Sequence, residues 1–165
     1  MTQPRTAAPT HQPRLLLPEA PALVAGFGRG ALLTPEGELL TLPAAEIGRR
    51  LRDLPPPLLV HAPASWKRLG LPPVPACDLL ELFAFARPGH PAAPTPRGLA
   101  VSLDRDAPAD DEAAAALLPE LATDLLRHLA HSRNGPLNRD AASLAAKLGA
   151  DTGWPWAESV LAALG

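Results

Sequence analysis

The sequence predicts an α/β fold: a small mixed sheet of about three to four strands in the N-terminal half, then a helical C-terminal half. Three observations carry this. Short apolar runs bounded by Gly and Pro recur early, at residues 22–26, 39–42 and 58–60. Apolar residues return at helical spacing through most of the second half. Hydrophobic residues make up 47% of the 165 positions but aromatic ones only 4%, so Ala and Leu must fill the core, which favours closely packed helices.

Residues 1–20 are rich in Pro, Thr and Gln and lack periodicity, so a disordered or loosely attached leader is expected. Residues 21–165 are then a single domain, long enough to bury a sizeable core. Leu15-Leu16-Leu17 is the leader's one apolar run, with the makings of a docking point. Residues 22–26 read as a strand. The segment Gly26-Phe27-Gly28-Arg29-Gly30 has the glycines of a phosphate loop. Such loops need a helix opening directly behind them, so that its free N–H groups face the anion. Here Ala31-Leu32-Leu33-Thr34 follows, then the turn Pro35-Glu36-Gly37 and a returning strand at 39–42, so a hairpin fits better.

Pro43 suits the opening of a helix in which Ile47, Leu51 and Leu54 share a face and Arg49, Arg50 and Arg52 point elsewhere. Pro55-Pro56-Pro57 stops it. Leu58-Leu59-Val60 is wholly apolar, as a buried central strand should be. His61-Ala62-Pro63-Ala64 turns the chain at that strand's end. A short helix over 65–69 closes at Gly70. Strand ends in open α/β sheets are where sites are built, which singles out His61, although a histidine bonded into the loop for structural reasons is the plainer reading.

Pro72-Pro73-Val74-Pro75 forces an extended connector. Cys77 or Asp78 caps a helix over 79–86, and Arg87-Pro88-Gly89 ends it. Thr95 caps a short helix beginning at Pro96. Asp104, Asp106, Asp110 and Asp111 form an acidic loop without the spacing of a calcium loop, so it reads as solvated and as a cap for the next helix. That helix spans 112–131, with Ala114, Leu118, Leu121, Leu125 and Leu129 in one stripe. Pro119 inside it predicts a kink or two abutting helices. His128 and His131 lie one turn apart with no third metal ligand evident, and a helix end favours their charge. Asn134-Gly135-Pro136 breaks the chain. Asn138 caps a helix over 139–148 closed by Gly149, and a last helix spans 154–164. Trp154 and Trp156 either cover the core edge or form a protein-docking surface.

The net charge of −2 gives no electrostatic footprint for autonomous nucleic-acid binding, though it permits a local basic face. A single cysteine, Cys77, makes no internal disulfide and points to a reducing cytoplasm. Nothing reads as a signal peptide or a membrane span, and no cofactor or metal site is expected.

The stretches PPPLLVHAP, DLLELFAFARP and PTPRGLA, with a closing GWPWAESVLAALG, resemble the N-terminal region of alphaproteobacterial DinG-type ATP-dependent DNA helicases, within a looser resemblance to exonucleases that runs over residues 22–131. There an exonuclease-like domain of ribonuclease-H-like fold, active or degenerate, precedes the motor. Val60-His61-Ala62-Pro63-Ala64 looks like a worn second motif of the DEDD exonucleases. Ala62 stands where that motif has Asn, and Ser65-Trp66-Lys67 where it has the catalytic Asp. Asp78-Leu79-Leu80-Glu81-Leu82 resembles the following acidic stretch, and Asp111 is near the place of the last one. The Asp-x-Glu of the first strand is missing, as is a Walker A loop.

The resemblance implies a pseudo-exonuclease: a non-catalytic accessory domain of a helicase of DNA repair, guiding DNA or docking on the helicase motor. The residues it implies for nucleic-acid contact are His61, Trp66, Lys67, Arg68 and Arg97, with Trp66 stacking on a base and the cations on phosphates. Two alternatives stand beside it. One is a protein-interaction domain using Trp154 and Trp156. The other is a metal-dependent 3′–5′ exonuclease with an unusual site built from Asp78, Glu81, Asp110 and Asp111. A Cys77 hydrolase would need an orienting partner that the sequence does not offer.

Overall fold

The computed structural model describes residues 14–131 and 137–165, the side chains of 137–139 excepted. The break expected at Asn134-Gly135-Pro136 lies outside the described residues, as do residues 1–13 of the expected leader. Five strands form one mixed sheet: β1 (Ala22–Ala25), β2 (Arg29–Leu33), β3 (Leu39–Pro43), β4 (Leu58–Leu59) and β5 (Cys77–Asp78), in the order β3-β2-β1-β4-β5. The β1–β2 and β2–β3 pairs are antiparallel, whereas β1–β4 and β4–β5 are parallel. Only β2 therefore runs against the rest. The helix α1 (Ala44–Leu51) connects β3 to β4, and α2 (Ala62–Leu69) connects β4 to β5. The remaining helices follow the sheet: α3 (Leu79–Ala86), α4 (Pro96–Ser102), α5 (Asp111–His131), α6 (Leu137–Thr152) and α7 (Ala157–Leu164).

Strand alternation builds two cores. Ala22, Val24, Leu58, Val60 and Cys77 point to one face, where α3, α5 and α7 cover them. Leu23, Ala25, Leu32 and Leu59 point to the other, against Ile47 of α1 and Trp66 and Leu69 of α2. The stripe predicted for α5 is the main seam: Leu118, Leu121 and Leu125 are fully buried. In the described part of the leader, residues 14–20 have no regular secondary structure. The Arg14 amide donates to the Ala162 carbonyl at 2.9 Å, and Leu17 and Ala20 pack on the larger core.

Several expected boundaries shift. The sheet has five strands, because Cys77 and Asp78, the two alternative caps of the third helix, pair with Leu58 and Leu59. Pro119 does not divide α5, which is one helix from Asp111 to His131; Thr123 Oγ1 donates to the Pro119 carbonyl at 2.9 Å. The helix expected over 139–148 begins at Leu137 and continues through Gly149 to Thr152. It ends where Gly153 adopts a φ of +66°, a value costly for any residue with a Cβ. The second helix starts at Ala62, ahead of the expected Ser65, with Pro63 in its first turn.

Candidate nucleic-acid interface

Four chain segments converge beyond the C-terminal ends of β1 and β4. The first is the turn after β1. Gly26 N–H donates to the Arg29 carbonyl at 2.8 Å, and Gly28 turns the chain with a φ of +67°. Gly28 also donates to the Arg68 carbonyl at 3.0 Å and accepts from Ala44 N–H at 3.0 Å. The turn is thereby tied to the end of α2 and the start of α1. Phe27, at its tip, is 86% exposed. The Arg68 guanidinium lies 5.9 Å from the centre of its ring, within cation–π range.

The second segment is the β4–α2 junction. His61 holds a φ of 60°, uncommon for a residue with a Cβ. Asp78 supports it: one carboxylate oxygen accepts from His61 N–H at 2.9 Å and the other from Ala62 N–H at 2.7 Å. Ser65 Oγ donates to the carbonyls of Val60 and His61, both at 3.1 Å. The third segment is the start of α4, where Thr95 Oγ1 accepts from Gly98 N–H at 3.0 Å and Arg97 is exposed. The fourth is the start of α5, capped by Asp110, whose Oδ1 accepts from Ala113 N–H at 2.8 Å.

Between these segments lies a cleft of about 210 Å³. Val24, Ala25 and Val60 form its apolar base, and Ser65, Arg68, Arg97, Asp110 and Asp111 supply the polar wall. Two cations therefore face two carboxylates across a small volume.

Of the five residues expected to contact nucleic acid, only Arg68 and Arg97 share this cleft. Lys67 is exposed and His61 half-buried, both outside its lining. Trp66 is 3% exposed and belongs to the core on the sheet's other face, so the stacking role expected of it fails on burial. Helical spacing explains the split: Trp66 and Arg68 are two residues apart and point about 200° apart around α2. The exposed aromatic at the cleft is Phe27 instead. The sequence signal for it was an aromatic flanked by glycines in a turn at a strand end.

The docking surface expected of Trp154 and Trp156 is also displaced by packing. Trp156 is fully buried and its indole N–H donates to the Asp78 carbonyl at 2.9 Å. Trp154 is half-buried, packs against Phe85 at 5.1 Å between ring centres with the rings tilted by 40°, and donates to Glu81 at 3.0 Å. The four acids of the exonuclease alternative do not assemble. Asp110 and Asp111 line the cleft, whereas Asp78 serves backbone amides and Glu81 holds Trp154. Among the described residues, no three His, Cys, Asp or Glu side chains are placed to share a metal ion. Burial, with Glu81 nearby, pushes the Cys77 thiol up to about 12, so it is not a nucleophile at neutral pH. The charge expected at the end of α5 is likewise corrected for His128. Partial desolvation lowers its pKa, and the Arg87 and His90 charges lower it further.

No helix among the described residues is long and apolar enough to cross a membrane. No family model, no curated protein and no solved structure matches this chain.

Proposed function

We propose that this chain is a non-catalytic accessory domain of ribonuclease-H-like architecture that guides single-stranded DNA for a helicase motor. The observation that carries the reading is the cleft beyond β1 and β4, lined by Arg68 and Arg97 over an apolar base with Asp110 and Asp111 in its wall, and the exposed Phe27 beside Arg68. An aromatic ring beside one guanidinium, with a second guanidinium in the adjoining cleft, offers a stacking platform and phosphate neutralisation.

The sheet agrees with that architecture: one reversed strand, a mixed order and helices in both crossovers. The chemistry argues for guidance over cleavage. Two-metal phosphodiester hydrolysis needs several carboxylates converging on ions about 4 Å apart. In this chain Val24 and Ala25 occupy the end of the first strand, and the two aspartates of the cleft are neighbours in sequence, one of them spent as a helix cap.

The test is binding of a fluorescein-labelled oligothymidylate in magnesium buffer at about 50 mM and about 200 mM salt. Binding that weakens with salt, leaves the strand uncut and falls about tenfold in Phe27→Ala supports the reading, one stacked base being worth ~1–3 kcal/mol. Arg68→Ala with Arg97→Ala should flatten the salt slope by roughly two charges' worth. Absence of binding at the lower salt, or cleavage of the strand, overturns it.

A further inference from the structure

We infer that the opposite face of the sheet carries a second docking site, an apolar groove that takes a short acidic segment of a partner protein through its apolar side chains. The groove has a volume of about 640 Å³ and lies between α1, the triproline loop that follows it and the connector from α2 to β5. Its lining is apolar, with Leu51, Leu54 and Val74 among the walls and the buried Trp66 at its floor. Val74 is 46% exposed.

Charge decides what fits. The only ionisable side chains in the lining are Arg49 and Arg52. Glu46 pairs with both Arg49 and Arg50, so it offsets only part of the charge on α1. Arg52 is exposed and forms no ion pair among the described residues. An occupant that combines apolar side chains with carboxylates satisfies both the walls and the rim.

The walls also decide how it binds. Five prolines line the groove and have no N–H to offer, so a strand cannot be added there by a regular hydrogen-bond ladder. Affinity has to come from side chains laid into the groove, as with an amphipathic segment. This chain's own candidates do not fit. Residues 1–13 and 132–136 contain no Asp or Glu, and the acidic stretch at 104–112 has no large apolar residue. None of these three segments supplies the occupant, which is a partner of that acidic and apolar chemistry. The site does not share residues with the cleft that carries the DNA reading, so either stands without the other.

The test uses the whole chain and three fluorescein-labelled peptides of about twelve residues. One has Leu at helical spacing with Asp and Glu between; in the second Lys replaces the acids; in the third Ser replaces Leu. Saturable anisotropy change with the acidic peptide, at least about tenfold weaker with either control, is expected. Arg52→Glu and Val74→Asp change exposed side chains and should weaken that binding without altering the circular dichroism spectrum. Arg49→Glu with Arg52→Glu should make the Lys peptide the better ligand. No saturation by the acidic peptide up to about 0.5 mM, or equal binding of the Lys peptide, overturns the inference. Self-association in sedimentation that Val74→Asp abolishes also overturns it, because a second copy would then be the occupant.

Discussion

The Asp78 carboxylate, 4% exposed, holds the backbone of His61 from seventeen residues away, accepting its N–H at 2.9 Å while taking Ala62 N–H at 2.7 Å. The same Oδ1 caps α3 through Leu80 N–H at 2.9 Å, and the Asp78 carbonyl takes the indole N–H of Trp156 at 2.9 Å. One residue thus joins the β4–α2 turn, the start of α3 and the C-terminal region. Asp78→Ala leaves three backbone donors in or near the core without their acceptor. Each unsatisfied buried donor costs ~1–3 kcal/mol, so a loss on the order of 3 kcal/mol or more is expected in urea denaturation. Asp78→Asn keeps one oxygen and should fall between the two. A loss below about 1 kcal/mol for Asp78→Ala would show that water replaces the carboxylate at no cost.

His61 is the residue this carboxylate holds in a left-handed conformation, with φ 60° and ψ 78°. Such backbone costs a residue with a Cβ ~1–2 kcal/mol, a cost glycine avoids. The imidazole makes no hydrogen bond among those described, and the turn is held by main-chain groups. His61→Gly should therefore be neutral or raise stability by up to about 1 kcal/mol, the relief being partly offset by glycine's greater freedom when unfolded. It should also leave oligothymidylate affinity unchanged, since His61 is not part of the cleft lining. A clear loss of DNA affinity in this variant would return His61 to the interface.

The lowered pKa of His128 makes stability depend on mildly acidic pH. Desolvation acts first, and the charges of Arg87 and His90 add to it. The unfolded chain, with a value near 6.5, takes up the proton before the folded chain does. His128's contribution is complete above pH 6.5 and is lost as pH falls through the lower, folded value. The denaturation midpoint should therefore drop as pH falls below about 6.5, and drop less in His128→Gln. A ring-proton titration should place His128 below 6.5 and move it toward 6.5 in His90→Asn.

The fold class, both β-meander strands flanking the Pro35-Glu36-Gly37 turn and the apolar stripe of α5 were legible because each rests on local periodicity or turn chemistry. What escaped was set by contacts distant in sequence. The strand β5 has two residues, too few for any period, and exists because Leu58 and Leu59 offer it an edge. Asp78 was readable as a helix cap, but its bonds to His61 and Ala62 depend on where β4 ends beside β5. For Trp66 and Trp156, size and aromaticity were legible but not the side of the element each would face. Arg68 and Arg97 are implied by the resemblance to the exonucleases, and the fold brings these two into one cleft. The 86% exposure of Phe27 beside Arg68 is a product of the turn geometry, which no local pattern encodes.

Asp111 gives the sharpest test of guidance against cleavage. Its Oδ2 lies 3.6 Å from the position a Cβ would take on Gly26, so the carboxylate stands beside the end of β1 within the same cleft as the two arginines. If DNA phosphates occupy the cleft, this carboxylate repels them, and among the described residues no assembled group of metal ligands is at hand to turn that repulsion into a bridge. Asp111→Asn removes a charge while keeping the side chain's shape, and it spares the Asp110 cap of α5. Oligothymidylate affinity should rise about three- to tenfold at low salt, by similar amounts with magnesium and with a chelator, the gain shrinking as salt is added. A carboxylate that recruits a metal ion to the strand would behave oppositely. Affinity would then fall on Asp111→Asn, and only when magnesium is present.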